Sequence, residues 1–222
     1  MLLVSDELIG THCPNSEIKY ICSKGMLLDE AYSIIKRELK GSEKGPILVS
    51  VGSYHVTAYY NDWNPGSIDG VEVECTKRAL KDFERGLHRF KKLSRRFDVK
   101  ISMCSLIPLP WEQDCDNTPD RKAIVTHCLS KLFVKANEYI DEFNKEQQVV
   151  TENLKKYMDR GNHNFYMTGQ RKIKDSMYND QGLPTHEASR RLMERCVAKI
   201  DSLSVDFNHN YVRTSRSRRQ RN

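Results

Sequence analysis

A chain of 222 residues with 38% hydrophobic and 30% charged residues can bury one core and is too apolar to stay disordered. It holds no apolar run of about 18 residues, which excludes a membrane-spanning helix. Met1-Leu2-Leu3-Val4-Ser5-Asp6 meets a charge too early for a signal peptide, so no secretory leader is expected. The formal charge of +6 is local: Arg213 to Asn222 carries five arginines and no acid, which leaves +1 for the body.

The seven cysteines (Cys13, Cys22, Cys75, Cys104, Cys115, Cys128, Cys196) are scattered singly, with no Cys-x-x-Cys pair and no zinc-ligand spacing. His12 and Cys13 are adjacent, and neighbours in an extended segment point apart. The expectation is free thiols in a reducing, cytoplasmic setting, without metal or cofactor.

In chain order, Leu2-Leu3-Val4 reads as a short apolar strand and Ile18 to Ile21 as a second, followed by Gly25. Leu28, Ala31, Ile34, Ile35 and Leu39 recur at helical spacing and predict a helix over roughly Leu28 to Leu39. Gly41 to Pro46 is a loop. Ile47 to Val51 is a continuous apolar run of the kind parallel strands show. The Asn-, Pro- and Gly-rich stretch from Asn61 to Gly70 precedes a long helix from about Val73 to Phe97.

Val99 to Leu109 predicts the fourth strand, with Lys100 to Ile107 as its body, stopped by Pro108 and Pro110. A helix from about Arg121 to Glu146 and a short fifth strand within Gln147 to Leu154 follow. Arg160 to Pro184 is polar and irregular, and a last helix runs from an N-cap at Thr185 to about Ser202. Strands alternate with helices, so the expected fold is α/β: a three-layer α/β/α domain over residues 1–205 with a mostly parallel sheet of about five strands. Residues 206–222 form a basic Arg/Ser-rich tail.

In such sheets functional groups gather where strands end at their carboxyl edge. There the chain reads Ser5-Asp6-Glu7-Leu8 after the first strand, Gly25 after the second and Gly52-Ser53-Tyr54-His55 after the third. Gln181-Gly182-Leu183-Pro184-Thr185 stands before the last helix. These landmarks, in this order and over nearly the whole chain, resemble the SGNH (GDSL-type) hydrolases. The resemblance implies that Glu7 replaces the nucleophilic serine, Tyr54 the oxyanion-hole asparagine, Gln181 the aspartate and Pro184 the histidine; Gly25 and Gly52 are retained.

Acyl transfer needs a nucleophile beside an oriented general base. A carboxylate at position 7 is no activated hydroxyl, and proline at 184 cannot accept a proton. Losing the asparagine also removes an oxyanion donor, typically worth about 3 kcal/mol. The expectation is a pseudo-hydrolase with no catalytic residues. A rearranged esterase would have to use Ser5 or Ser53 with His55 or His186 and Asp180.

Two basic features stand beside that loss. Arg78, Lys81, Arg85, Arg89, Lys92 and Arg96 step by three or four along the long helix, opposite Leu80, Phe83, Leu87, Phe90 and Phe97. A solvated helix face would look the same. Arg213, Arg216, Arg218, Arg219 and Arg221, interspersed with serine, make a flexible cationic arm suited to phosphates. Arg171, Lys172 and Lys174 extend the basic surface from the irregular segment.

A hydrolase-like domain without its triad, basic on one helix and its tail, is similar to the OSK-type domains of insect germ-plasm organisers. That resemblance implies binding of mRNA, including untranslated regions, and assembly of cytoplasmic ribonucleoprotein granules with other granule proteins. The alternatives are an inactive protein-binding scaffold with a nonspecific cationic tail, and the rearranged esterase.

Overall fold

The computed structural model describes residues 1–41, 45–61, 71–107, 109, 119–154, 179 and 183–219, with backbone alone for 59–61, 71–75, 119–127, 130 and 206–219. Four strands, β1 (Leu2–Ser5), β2 (Lys19–Cys22), β3 (Ile47–Ser50) and β4 (Ile101–Met103), form one sheet. Their order is β2-β1-β3-β4, and every neighbouring pair is parallel. Alternate residues point to opposite faces of a strand, so each strand feeds two cores. Leu2, Val4, Ile47, Val49, Ile101 and Met103 enter one, while Leu3 and Leu48 enter the other.

Helices α1 (Leu28–Gly41), α2 (Ser53–Asn61), α3 (Val71–Phe97) and α4 (Pro119–Glu146) close the first core. Helix α5 (His186–Arg219) closes the second through Ala188, Leu192, Cys196 and Ile200. The result is the expected three-layer α/β/α arrangement, with four strands among the described residues instead of five.

The fifth strand is where the expectation fails. β4 is shorter than predicted, and side chains of α4 meet its outer edge. Met103 N–H donates to Asn144 Oδ1 at 2.9 Å, and Asn144 Nδ2 donates back to Met103 O at 2.7 Å. A carboxamide carries a donor and an acceptor side by side, so it serves a strand edge as a neighbouring peptide would. Beyond it, Leu106 N–H donates to Asn137 Oδ1 at 2.8 Å, and Ser105 N–H to Glu152 O at 2.9 Å. The 147–154 segment thus bonds to the chain just beyond β4, buries Leu154 in the second core and pairs no strand.

Two helices also depart from expectation. α2 was not anticipated, because Ser53–Asn61 mixes β-branched and aromatic residues without an apolar stripe. α5 starts as expected, with Thr185 Oγ1 accepting from Ala188 N–H at 3.3 Å. It then continues past Ser202 to Arg219, so most of the expected flexible arm is helical.

Candidate functional site

The carboxyl ends of β1, β2 and β3 bring three of the landmark residues into one hydrogen-bonded unit. Asp6 caps the short 3-10 turn Glu7–Ile9 by accepting from Leu8 N–H at 3.1 Å, which directs Glu7 across the sheet edge. Glu7 Oε2 accepts from Gly25 N–H at 2.7 Å, and Glu7 Oε1 accepts from Tyr54 O–H at 2.7 Å. The carboxylate therefore joins the segments that follow β1, β2 and β3. Burial, and then the Glu7 hydrogen bond and charge, push the Tyr54 phenol well above its ordinary value.

Glycine is required at the base of the third loop. Gly52 has φ +123, and a Cβ there would stand 2.9 Å from Leu106 Cδ2 and 3.0 Å from Phe83 Cε2. Immediately after it, Val56 N–H donates to Gly52 O at 3.0 Å and starts α2, which carries Tyr54.

Asp6 is 1% exposed, and its Oδ2 has no hydrogen-bond partner among the described residues. Burial drives its carboxyl well above the usual range, against the Leu8 hydrogen bond. Ser5 is fully buried; its Oγ lies 2.7 Å from Tyr20 Oη and 2.8 Å from Asp6 O. Tyr20 O–H in turn donates to Gly10 O, and burial raises its phenol as well. Ser53 Oγ accepts from Ile107 N–H at 3.0 Å. His55 packs against Phe83 with ring centroids 6.1 Å apart, and burial lowers its basicity. The described partners of the two serine hydroxyls are thus a tyrosine and backbone groups, while His186 is exposed at the start of α5. Asp180 and Gln181 lie outside the described residues.

Pro184 is buried just ahead of α5, and Ser189 Oγ donates to Leu8 O at 3.0 Å. That bond ties the first turn of α5 to the turn that carries Glu7. Glu7, Gly25, Tyr54 and Gly52 are therefore assembled at one edge, with Pro184 on the segment docked beside them.

Solved structures share the fold that builds this edge. A GDSL-like lipase from Bacteroides thetaiotaomicron is 13% identical, with a TM-score of 0.58 over 90% of this chain and 87% of that one. The chain has an SGNH hydrolase-like fold. An acetyl xylan esterase superposes with a TM-score of 0.54 at 10% identity, over 89% of this chain and 98% of that one. A psychrotrophic esterase from Pseudoalteromonas, in a structure inhibited by monoethylphosphonate, gives 0.50 at 12% identity, over 90% and 96%. No protein-family model matches the sequence, and none of the curated proteins matches it.

The cationic residues of α3 are distributed differently from a bare stripe. Arg78, Lys81, Arg85, Lys92 and Arg96 are exposed. Arg85 is paired with Asp82 at 3.0 Å. Arg89 is committed to the fold: its guanidinium lies 4.1 Å from the Tyr32 ring centroid and pairs with Asp29 of α1. Sequence spacing could not reveal Asp29 as a partner, because it arrives from another helix.

The same packing adds residues that spacing missed. α1 and α3 pack side by side after parallel strands, so both end at the amino edge of the sheet. Lys36, Arg37 and Lys40 of α1 thereby lie at the same end as Lys92, Arg95 and Arg96 of α3. The available signal was the basic last turn of each helix, which also offsets the helix dipole.

Arg213, Arg216, Arg218 and Arg219 lie on the helical backbone of α5. Arg171, Lys172, Lys174 and Arg221 lie outside the described residues. Among the described residues no group of three or more His, Cys, Asp or Glu side chains is arranged to hold a metal ion, and no helix is long and apolar enough to cross a membrane.

Proposed function

We propose that this SGNH-like domain is catalytically inactive and binds RNA, mRNA untranslated regions in particular, through exposed cations. The observation that carries the reading is the exposed row Arg78, Lys81, Arg85, Lys92 and Arg96 on α3, widened by exposed Arg37 and Lys40 and half-buried Lys36 of α1. Along the helix these cations follow one another at about 4.5–6 Å, with a gap of about 10 Å between Arg85 and Lys92 where Arg89 turns to α1. The arginine-rich end of α5 supplies further forked donors for phosphate.

The inactive reading is supported by Glu7, whose carboxylate is bonded to Gly25 and Tyr54 at the edge where an acyl group would have to sit. In this proposal the domain acts as the OSK-type domain of the germ-plasm organiser Oskar does by the sequence resemblance. It holds transcripts within cytoplasmic ribonucleoprotein granules, alongside other granule proteins.

The test is ultraviolet crosslinking to RNA with peptide mapping, for the whole chain and for a fragment ending at Tyr211. Crosslinks on α3 and α1 that weaken with salt and survive loss of the arginine end support the folded surface. Crosslinks confined to the arginine end reduce the body to a carrier. A stable protein complex without any RNA crosslink favours the scaffold reading. Turnover of a short acyl ester, lost on replacing Ser5 or Ser53, overturns the inactive one.

A further inference from the structure

Glu7 is gripped by donors from two other segments of the chain. Gly25 N–H stands just after β2 and Tyr54 O–H belongs to α2, and each reaches a different oxygen of the carboxylate at 2.7 Å. Gly25 sits at φ +62 in the turn just after β2, and a Cβ on it would meet nothing within 4 Å, so its α-carbon borders open space. Tyr54 is carried by α2, which is fixed at its start by Val56 N–H donating to Gly52 O and by Ser53 Oγ accepting from Ile107 N–H. Two donors held apart by one carboxylate width, on separate supports, are what a carboxylate receptor requires.

We propose that Gly25 N–H and Tyr54 O–H form a carboxylate-binding site that the chain fills with its own Glu7 side chain. A small monocarboxylate takes the site when that side chain is shortened. In the native chain Glu7 closes this edge of the sheet to external anions and clips the loops after β1, β2 and β3 together. The assignment is independent of the RNA reading, since it concerns the donors around Glu7 and none of the cations of α1, α3 or α5.

The test is thermal unfolding of Glu7→Ala at neutral pH in sodium formate or acetate, against sodium chloride of the same ionic strength. In chloride the variant is expected to melt below the native chain. Formate should then raise its midpoint by a few degrees in a saturable manner, as a ligand confined to the folded state does, while the native chain shows no preference for formate. Tyr54→Phe added to Glu7→Ala should shrink the formate effect. A Gly25 amide resonance that moves on formate titration of Glu7→Ala, and stays still in the native chain, would locate the anion.

Equal midpoints in formate and chloride, or an equal formate effect on native and variant, overturn the proposal. If Glu7→Ala does not fold in chloride, refolding in formate takes the place of melting. Recovery of the folded form supports the site, and failure to recover it counts against the site.

Discussion

Replacing Asn144 with leucine should expose how much of the sheet rests on one side chain. Asn144 is fully buried, and its amide serves Met103 N–H at 2.9 Å, Met103 O at 2.7 Å and Thr151 Oγ1 at 2.9 Å. Leucine has the same number and branching of side-chain heavy atoms, so the change deletes the polar partners without opening a cavity. It strands one N–H and one C=O of Met103, itself 0% exposed, at a cost of about 1–3 kcal/mol each. Against this stands a gain of about 1.5 kcal/mol from the added apolar burial. The net loss is expected near 3 kcal/mol, a large part of the 5–15 kcal/mol that typically holds a domain together. Urea unfolding followed by circular dichroism measures it, with the midpoint falling and the slope unchanged. A loss below about 0.5 kcal/mol would refute the claim that Asn144 stands in for the missing strand.

Asp6→Asn tests the buried carboxyl. Its folded pKa is raised, so the stability it contributes is fully present below the unfolded value near 3.8 and is lost as pH rises through the folded value. The amide keeps an acceptor for Leu8 N–H and carries no charge, so the variant should be more stable at neutral pH and flatter in pH dependence; a pH-independent difference would argue against it. Gly52→Ala meets both a positive φ and close approaches at 2.9 and 3.0 Å, and should cost about 2 kcal/mol or more in a denaturant melt. Ending the chain at Tyr211 should leave the melting temperature unchanged, because the residues removed carry five arginines and a single apolar side chain, Val212. In RNA titrations the same truncation should reduce the log–log salt slope by about 0.7 for each phosphate that the removed arginines neutralise. Charge reversal at Lys81 and Lys92 should lower affinity further without affecting folding, as measured by salt-dependent titration beside a melt.

The order of elements along the chain was legible because its signals are local. Leu2-Leu3-Val4 and Ile47 to Val51 are continuous apolar runs, and Leu28, Ala31 and Ile35 keep a helical period whatever surrounds them. The carboxyl-edge landmarks were legible too, because alternating strands and helices force their loops to one edge. Tertiary packing decided the rest. Nothing local says that the amide of Asn144, on the buried side of α4, replaces a strand, since its partner Met103 lies 41 residues away. Spacing gave Arg89 to the basic row, and only the approach of α1 set it on Tyr32 and against Asp29. The sequence alone determined which residues stand at the strand ends. That Glu7 joins Gly25 to Tyr54 depended on their donors meeting across 18 and 47 residues, a matter of how the sheet orders its strands.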